Sequence, residues 1–196
     1  FWAGTRMSEM GQPLLAAGLA LPNMADIDYT TLAGAIATST HGTGPQFGSY
    51  STQVVGLRLI TATGEVLDCD AERHSEVFNA ARVSLGALGI VTRVRLQNRN
   101  AFRLHRKEWM QNTEELLEDM ERLIRENEHF EINSLLHSDV SLATALNPTD
   151  DTHTLPKHGG DTGKVRLLEI VHTYARSSPR LQAMALNFVA RHLVGF

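Results

Sequence analysis

The residues best suited to chemistry lie between Pro22 and Gly44, in the string PNMADIDYTTLAGAIATSTHGTG. Hydroxyls at Thr30, Thr31 and Thr38 flank a run of small residues, Leu32 to Thr38, that leaves the backbone open to close approach. Thr30 or Thr31 is an apt N-cap for this run, and the helix start with its amides is the kind of feature that receives a phosphate. His41, beside Gly42, adds a side chain able to donate or accept a proton. Two readings stay open on composition: an anion cradle, or a tightly packed loop whose glycines serve packing alone.

Other motifs fail on spacing. The stretch Gly159 to Val165 evokes a phosphate loop, but His158 stands where its first Gly belongs and Val165 where Ser or Thr would hold magnesium. Gly42-x-Gly44 lacks the third glycine of a Rossmann fingerprint. The chain has 9 His, but no His-x-x-x-His pair, so no metal site is expected. A single cysteine, Cys69, leaves no internal disulfide and points to a reducing compartment, the cytoplasm. With 18 Lys and Arg against 22 Asp and Glu, the net charge of −4 argues against a nucleic-acid binder. The apolar run Leu14 to Leu21 is too short to span a membrane.

The elements around this segment alternate. Thr5 is expected to cap a short helix toward Ala17, bent or split by Pro13 and stopped by Gly18. Gln53 to Ala62 and Glu65 to Asp70 have the two-residue period of a hairpin turning at Thr63-Gly64. Ser75 is expected to cap a helix through Ala81, and Ile90 to Leu96 reads as another strand. A second unit is expected from about Gln97. Asn112 caps its clearest helix, with Glu115 reaching back, Leu116, Leu117, Met120, Leu123 and Ile124 buried, and Glu118/Arg122 and Glu121/Arg125 paired outside. Residues 147–164 read as a loop and 167–174 as a strand. A last helix from Ser178-Pro179 is expected to bury Leu181, Met184, Phe188 and Val189. The start at Phe1-Trp2 and the apolar end at Phe196 read as those of a piece of a longer protein.

The string LPNMADIDYTTLAGAIATSTHGTG, then VVGLRLITATGEVLDCD, then SLGALGIVTRVRL resembles the FAD-binding domain of the vanillyl-alcohol oxidase type. It is most similar to the sugar-lactone and alditol oxidoreductases of that superfamily. The resemblance covers residues 2–98. Residues 99–196 resemble more loosely the start of the family's substrate-binding cap, through HFEINSLLHSD and ALNPTDDT.

The resemblance implies an α+β fold: the second subdomain of a two-part FAD-binding domain over residues 1–98, and the start of an α+β cap over 99–196. It implies FAD contacts from Ala25, Asp26, Thr31, Gly34, Ala35, Ile36, Ala37, Thr38, His41, Gly42 and Ile90. Ile90 is expected to combine strand-core packing with a backbone lying along the cofactor. At Ala25 the resemblance implies that side-chain size affects oxygen access. The implied reaction oxidises a CH–OH group of a sugar lactone or polyol, with oxygen or another acceptor reoxidising the flavin. The resemblance leaves two alternatives, a related 2-hydroxy-acid or phenol oxidoreductase and a non-catalytic partial flavin module. No residue of the chain matches a catalytic position of the family.

Overall fold

A computed structural model describes residues 1–134, 138–152, 173 and 178–192, with side chains described as far as 188. The chain forms two compact units, Phe1–Phe102 and Arg103–Phe196.

The first unit is built on a three-stranded antiparallel sheet in the order β3-β2-β4, with β2 at Val54–Ile60, β3 at Val66–Cys69 and β4 at Ile90–Leu96. The β2–β3 hairpin turns where the sequence places it, with Gly64 at φ +83°. The sheet's inner side carries Leu57, Leu59, Cys69 and Val94. They pack in one core with Met7, Met10, Leu14, Leu32, Ala35, Ile36, Tyr50 and Phe78. A small second sheet pairs β1 (Leu19–Ala20) with β5 (Arg99–Asn100).

The helices of this unit are short: α1 at Gly11–Ala16, α2 at Leu32–Ala37 and α3 at Ser75–Ala81. Thr5 caps none of them. A 3-10 turn at Met7–Glu9 precedes α1, and the break falls at Met10 rather than at Pro13, whose ring is tolerated in a first turn. Gly18 stops the segment at φ +70°. Ser75 is the first helical residue of α3 rather than its cap; His74, at φ +50°, precedes it and makes no capping bond. Thr31 caps α2 as expected, its hydroxyl accepting from the Gly34 amide at 3.3 Å.

The second unit is an antiparallel sheet in the order β6-β8-β7, with β6 at Leu104–Asn112, β7 at His129–Ser134 and β8 at Val140–Pro148. Helix α4, Thr113–Glu126, packs Leu116 and Leu123 against Ala143, Trp109, Phe130 and Ile132. Asn112 accepts from the amides of Glu114 and Glu115, but the Glu115 carboxylate takes a hydrogen bond from Gln111 and does not reach back to the cap. The buried stripe is narrower than the sequence implies: Leu117 is 53% and Met120 38% exposed. Arg122 pairs with Asp119 and Glu126, the partners its side chain meets one turn either way, rather than with Glu118. Arg125 pairs with Glu121.

Helix α5, Pro179–His192, is rotated from expectation. Gln182 and Leu186 are buried, whereas Leu181, Met184 and Phe188 face outward at 58–70% exposure. The cause is polar: Asn187 Oδ1 accepts from Ser138 Oγ at 2.7 Å and from the Asp139 amide at 3.0 Å, which fixes the helix on its Gln182–Leu186 line. Most of the expected loop over 147–164, the expected strand over 167–174 apart from Thr173, and the Val189 side chain lie outside the described residues. No helix among the described residues is long and apolar enough to cross a membrane.

Candidate functional site

Helix α2 is fixed at both ends, and how it is fixed decides which backbone groups remain for a ligand. At its start, the Leu32 and Ala33 amides donate to the Thr5 and Ala3 carbonyls at 2.8 and 2.9 Å, and Gly34 donates to Thr31. The Ala35 and Thr38 amides return to Thr31 and Gly34. The expectation that Gly34 to Thr38 present open amides is therefore corrected: those amides are used inside the fold.

At its end the chain makes a full Schellman turn. The Thr40 amide donates to the Ala35 carbonyl at 2.9 Å and the Ser39 amide to Ile36 at 3.1 Å, with Ser39 in the left-handed region at φ +56°. This turn delivers Thr40-His41-Gly42 to the surface. Among the described residues no hydrogen bond engages the amides of His41 and Gly42. His41 is exposed, its Nδ1 lying 2.9 Å from the Gly42 carbonyl oxygen. Open amides thus occur just past the helix, not at its start.

The loop before α2 is held against this turn by residues that periodicity does not single out. Buried Asn23 donates from Nδ2 to the Thr43 carbonyl at 3.0 Å, while its Oδ1 accepts from Met24. The Tyr50 hydroxyl, on a side chain only 2% exposed, accepts from the Ala25 amide at 2.8 Å. Burial raises the Tyr50 phenol above its ordinary value, so it stays protonated. Gly42 sits so close to this loop that a Cβ would overlap the Met24 carbonyl. Asn23, Tyr50 and Gln53, which donates to the Asn23 carbonyl at 3.4 Å, are the organisers that sequence reasoning missed. Isolated polar residues in irregular segments leave no periodic signal.

Beside α2 opens a cleft of about 380 Å³. Its walls are Gly34, Ile36, Ala37 and Thr38 on one side and Leu85, Gly86 and Gly89 on the other, with Val91 and Val94 on its floor. The Leu85 amide donates to the Ala37 carbonyl at 3.2 Å, which ties the two walls. Leu85, Gly86 and Gly89 all have positive φ, and a Cβ on Gly89 would overlap the Ile60 carbonyl.

The structure therefore brings Gly34, Ile36, Ala37 and Thr38 into one cleft. Ala35 is core, and Thr31 is the cap. Ala25, His41 and Gly42 belong to the adjoining loops, and Asp26 is exposed in the first of them. Ile90 is not strand core: it is 69% exposed at the start of β4, opposite Ile60, because Val91 beside it takes the core face across from Leu59 and alternation turns Ile90 to the other face.

Residues 1–70 match the family described as "FAD binding domain", and residues 94–195 match "D-arabinono-1,4-lactone oxidase". The residues present fit FAD in kind: an apolar cleft with glycine walls, in the size range of ligand sites, beside a turn with open amides. The chain is 37% identical to L-gulono-1,4-lactone dehydrogenase of Mycobacterium tuberculosis over 76% of this chain and 34% of that protein. It is 37% identical to L-gulonolactone oxidase of Scyliorhinus torazame over 70% of this chain and 31% of that protein. With D-arabinono-1,4-lactone oxidase of Candida albicans it shares 29% over 95% of this chain and 34% of that one. The chain thus spans about a third of the length of these relatives.

Cholesterol oxidase from Brevibacterium sterolicum superposes with a TM-score of 0.77 at 14% identity, covering 97% of this chain and 41% of that structure, a likeness of fold alone. An α+β chain whose second half matches across residues 94–195, after an FAD-binding segment, belongs to the D-arabinono-1,4-lactone oxidase family.

Proposed function

We propose that this chain is part of an FAD-dependent oxidoreductase that oxidises a CH–OH group of a sugar lactone. In this reading residues 1–98 supply the C-terminal part of the FAD-binding domain and residues 99–196 begin the substrate cap. The observation that carries it is the order of the two matches, an FAD-binding segment followed by a lactone-oxidase segment in one chain. When bound, FAD supplies the two-electron acceptor at N5 and passes the electrons to oxygen or another acceptor.

The chain's own contribution is positional. Gly34, Ala37, Gly86 and Gly89 keep large side chains out of the cleft, while Ile36, Val91 and Val94 give it a dry lining. The Thr38 hydroxyl, donating to the Gly34 carbonyl at 2.9 Å and 3.1 Å from Thr40 Oγ1, adds a polar group to the lining. His41, Gly42, Asp26 and the Thr31 turn flank the phosphates in this reading, and the Tyr50 bond fixes Ala25 toward the flavin. Ile90 offers its backbone, between Gly89 and Val91 of the cleft, to the cofactor in this reading, while its side chain stays exposed. The single buried Cys69 and the acidic balance support a reducing compartment such as the cytoplasm.

The test mixes the purified flavin-containing protein, anaerobically, with L-gulono-1,4-lactone, D-arabinono-1,4-lactone, a polyol, a 2-hydroxy acid and a phenol. Loss of the visible flavin band with a lactone supports the reading. Bleaching by the 2-hydroxy acid or phenol alone overturns it in favour of a related oxidoreductase. Ala37→Leu, which adds bulk at a residue lining the cleft, is expected to lower flavin occupancy without unfolding the protein.

A further inference from the structure

On the face of the β3-β2-β4 sheet opposite its core, strand register assembles a row of charge. Asp68 of β3 stands across from Arg58 of β2, and Arg58 stands across from Arg93 of β4. One step along, Arg95 of β4 is the partner of Gly56. Because Gly56 has no side chain, the Arg95 guanidinium lies over it, where a Cβ would meet Arg95 Nη2 at 3.0 Å. Arg95 donates from there to the Val55 carbonyl at 3.1 Å and lies 3.5 Å from Asp70. Arg73 comes from the turn after β3, whose backbone is closed by the Asp70 carboxylate accepting from its amide.

These residues line one polar cleft of about 480 Å³. Its charges do not balance. Arg58 is bound bidentately by Asp68 at 2.7 and 2.8 Å, and Arg95 is paired with Asp70. Arg73 and Arg93 line the same cleft and make no direct ion pair among the described residues, although both lie near enough to Asp68 to favour its ionised form. Arg93 is nonetheless held in place, its guanidinium 4.3 Å from the centre of the Trp2 ring. Like charges directly opposite, as at Arg58 and Arg93, destabilise a sheet. With Arg58, Arg73, Arg93 and Arg95 lining it against Asp68 and Asp70, the cleft carries a net charge near +2.

We propose that this cleft is a binding site for a dianionic phosphate group, held by Arg73 and Arg93 and separate from the flavin cleft. The charge selects the ligand: a phosphate monoester carries about −1.5 to −2 at neutral pH and matches the two unpaired guanidiniums, whereas one carboxylate neutralises only one. Arginine's fixed fork of donors suits tetrahedral phosphate oxygens. The volume beyond a phosphate leaves room for the organic part of a small phosphomonoester. The α2 face and the lactone chemistry do not enter the argument, so the site stands or falls independently of the function proposed above.

The test titrates inorganic phosphate and phenyl phosphate, by calorimetry, into the flavin-loaded protein with chloride holding the ionic strength constant. The expected result is saturable binding of one equivalent that weakens about tenfold or more in Arg73→Gln and in Arg93→Gln, the loss of one charged hydrogen-bonding partner. Flavin occupancy and the bleaching of the flavin by lactone are expected to be unchanged in both variants. No binding, an equal response to added chloride, or binding kept by both variants overturns the proposal. Binding of vesicles containing phosphatidic acid, but of neither soluble phosphate, also overturns it in favour of a lipid-facing surface.

Discussion

At the scale of single residues, the candidate site depends on a few polar atoms that hold irregular backbone. Tyr50 is the clearest case. Its hydroxyl is the acceptor for the Ala25 amide, and its ring fills the core beneath the loop. Tyr50→Phe keeps the packing and strands the amide, so a loss of about 1–2 kcal/mol is expected in urea unfolding, with faster hydrogen exchange at Ala25. Exchange as slow as in the parent would show that the bond does not hold the loop. On the opposite face the Arg58 guanidinium, donating two hydrogen bonds, holds the Asp68 carboxyl below its ordinary value of 3.8. A depressed carboxylate stabilises the fold above its unfolded value, and that contribution disappears as pH falls through the lower folded value. Asp68→Asn is thus expected to flatten the acid limb of a thermal-denaturation pH profile below about pH 4. A variant curve that stays parallel to the parent's throughout that range would remove the pair from the acid response.

At the scale of elements, α2 is six residues long and has little stability of its own, so its ends decide its place. Ser39 occupies the left-handed position of the terminating turn without being glycine, and its hydroxyl donates to Ser49 at 3.1 Å. A β-branched residue tolerates that conformation poorly, so Ser39→Val should cost about 2 kcal/mol in a chemical melt, and Ser39→Ala less. Equal costs would mean that the hydroxyl, not the backbone, sets the turn. The same element shows what the sequence reveals and what it hides. Thr31 as a cap, Gly18 and Gly64 as turn residues and the β2–β3 alternation are local signals, each legible from a handful of neighbouring residues. The use of the α2 amides by Ala3 and Thr5 is not legible, because those partners are set by a chain crossing some thirty residues away. The same holds for α5, whose rotation is fixed by Asn187 on Ser138 and Asp139 against the pull of its apolar stripe. Strand β6, LHRKEWMQN, gives no strand signal because its charged first half carries no alternation, and only pairing along β8 makes it a strand.

At the scale of the whole molecule, the two units differ in how much apolar surface secures them. In the first, sixteen buried residues from every helix and all three main strands form one cluster. In the second, the cluster among the described residues has Leu116, Leu123 and Ala143 fully inside, with Trp109, Phe130 and Ile132 half-covered around them. Its sheet presents two edges, β6 and β7, and Leu117 and Met120 of α4 remain outside. Hydrophobic burial is the main favourable term, so the second unit should open first, in a sub-global step that leaves β2 and β4 paired. Native-state hydrogen exchange under increasing denaturant measures this directly. The amides of β7 and β8 are expected to merge into an exchange step with a lower free energy than those of β2 and β4. If instead all four strands report one common opening energy, the units share a single cooperative transition and the smaller core is stabilised from outside itself. The order matters for the proposed function, because the early-opening unit is the one assigned to the substrate cap. The cleft proposed for the flavin, by contrast, lies wholly within the first unit, among Gly34, Ala37, Leu85 and Gly89. A flavin bound there should therefore slow exchange in α2 and β4 while leaving the opening energy of β7 and β8 as it was, and a matching rise in both would show that the cofactor couples the two units.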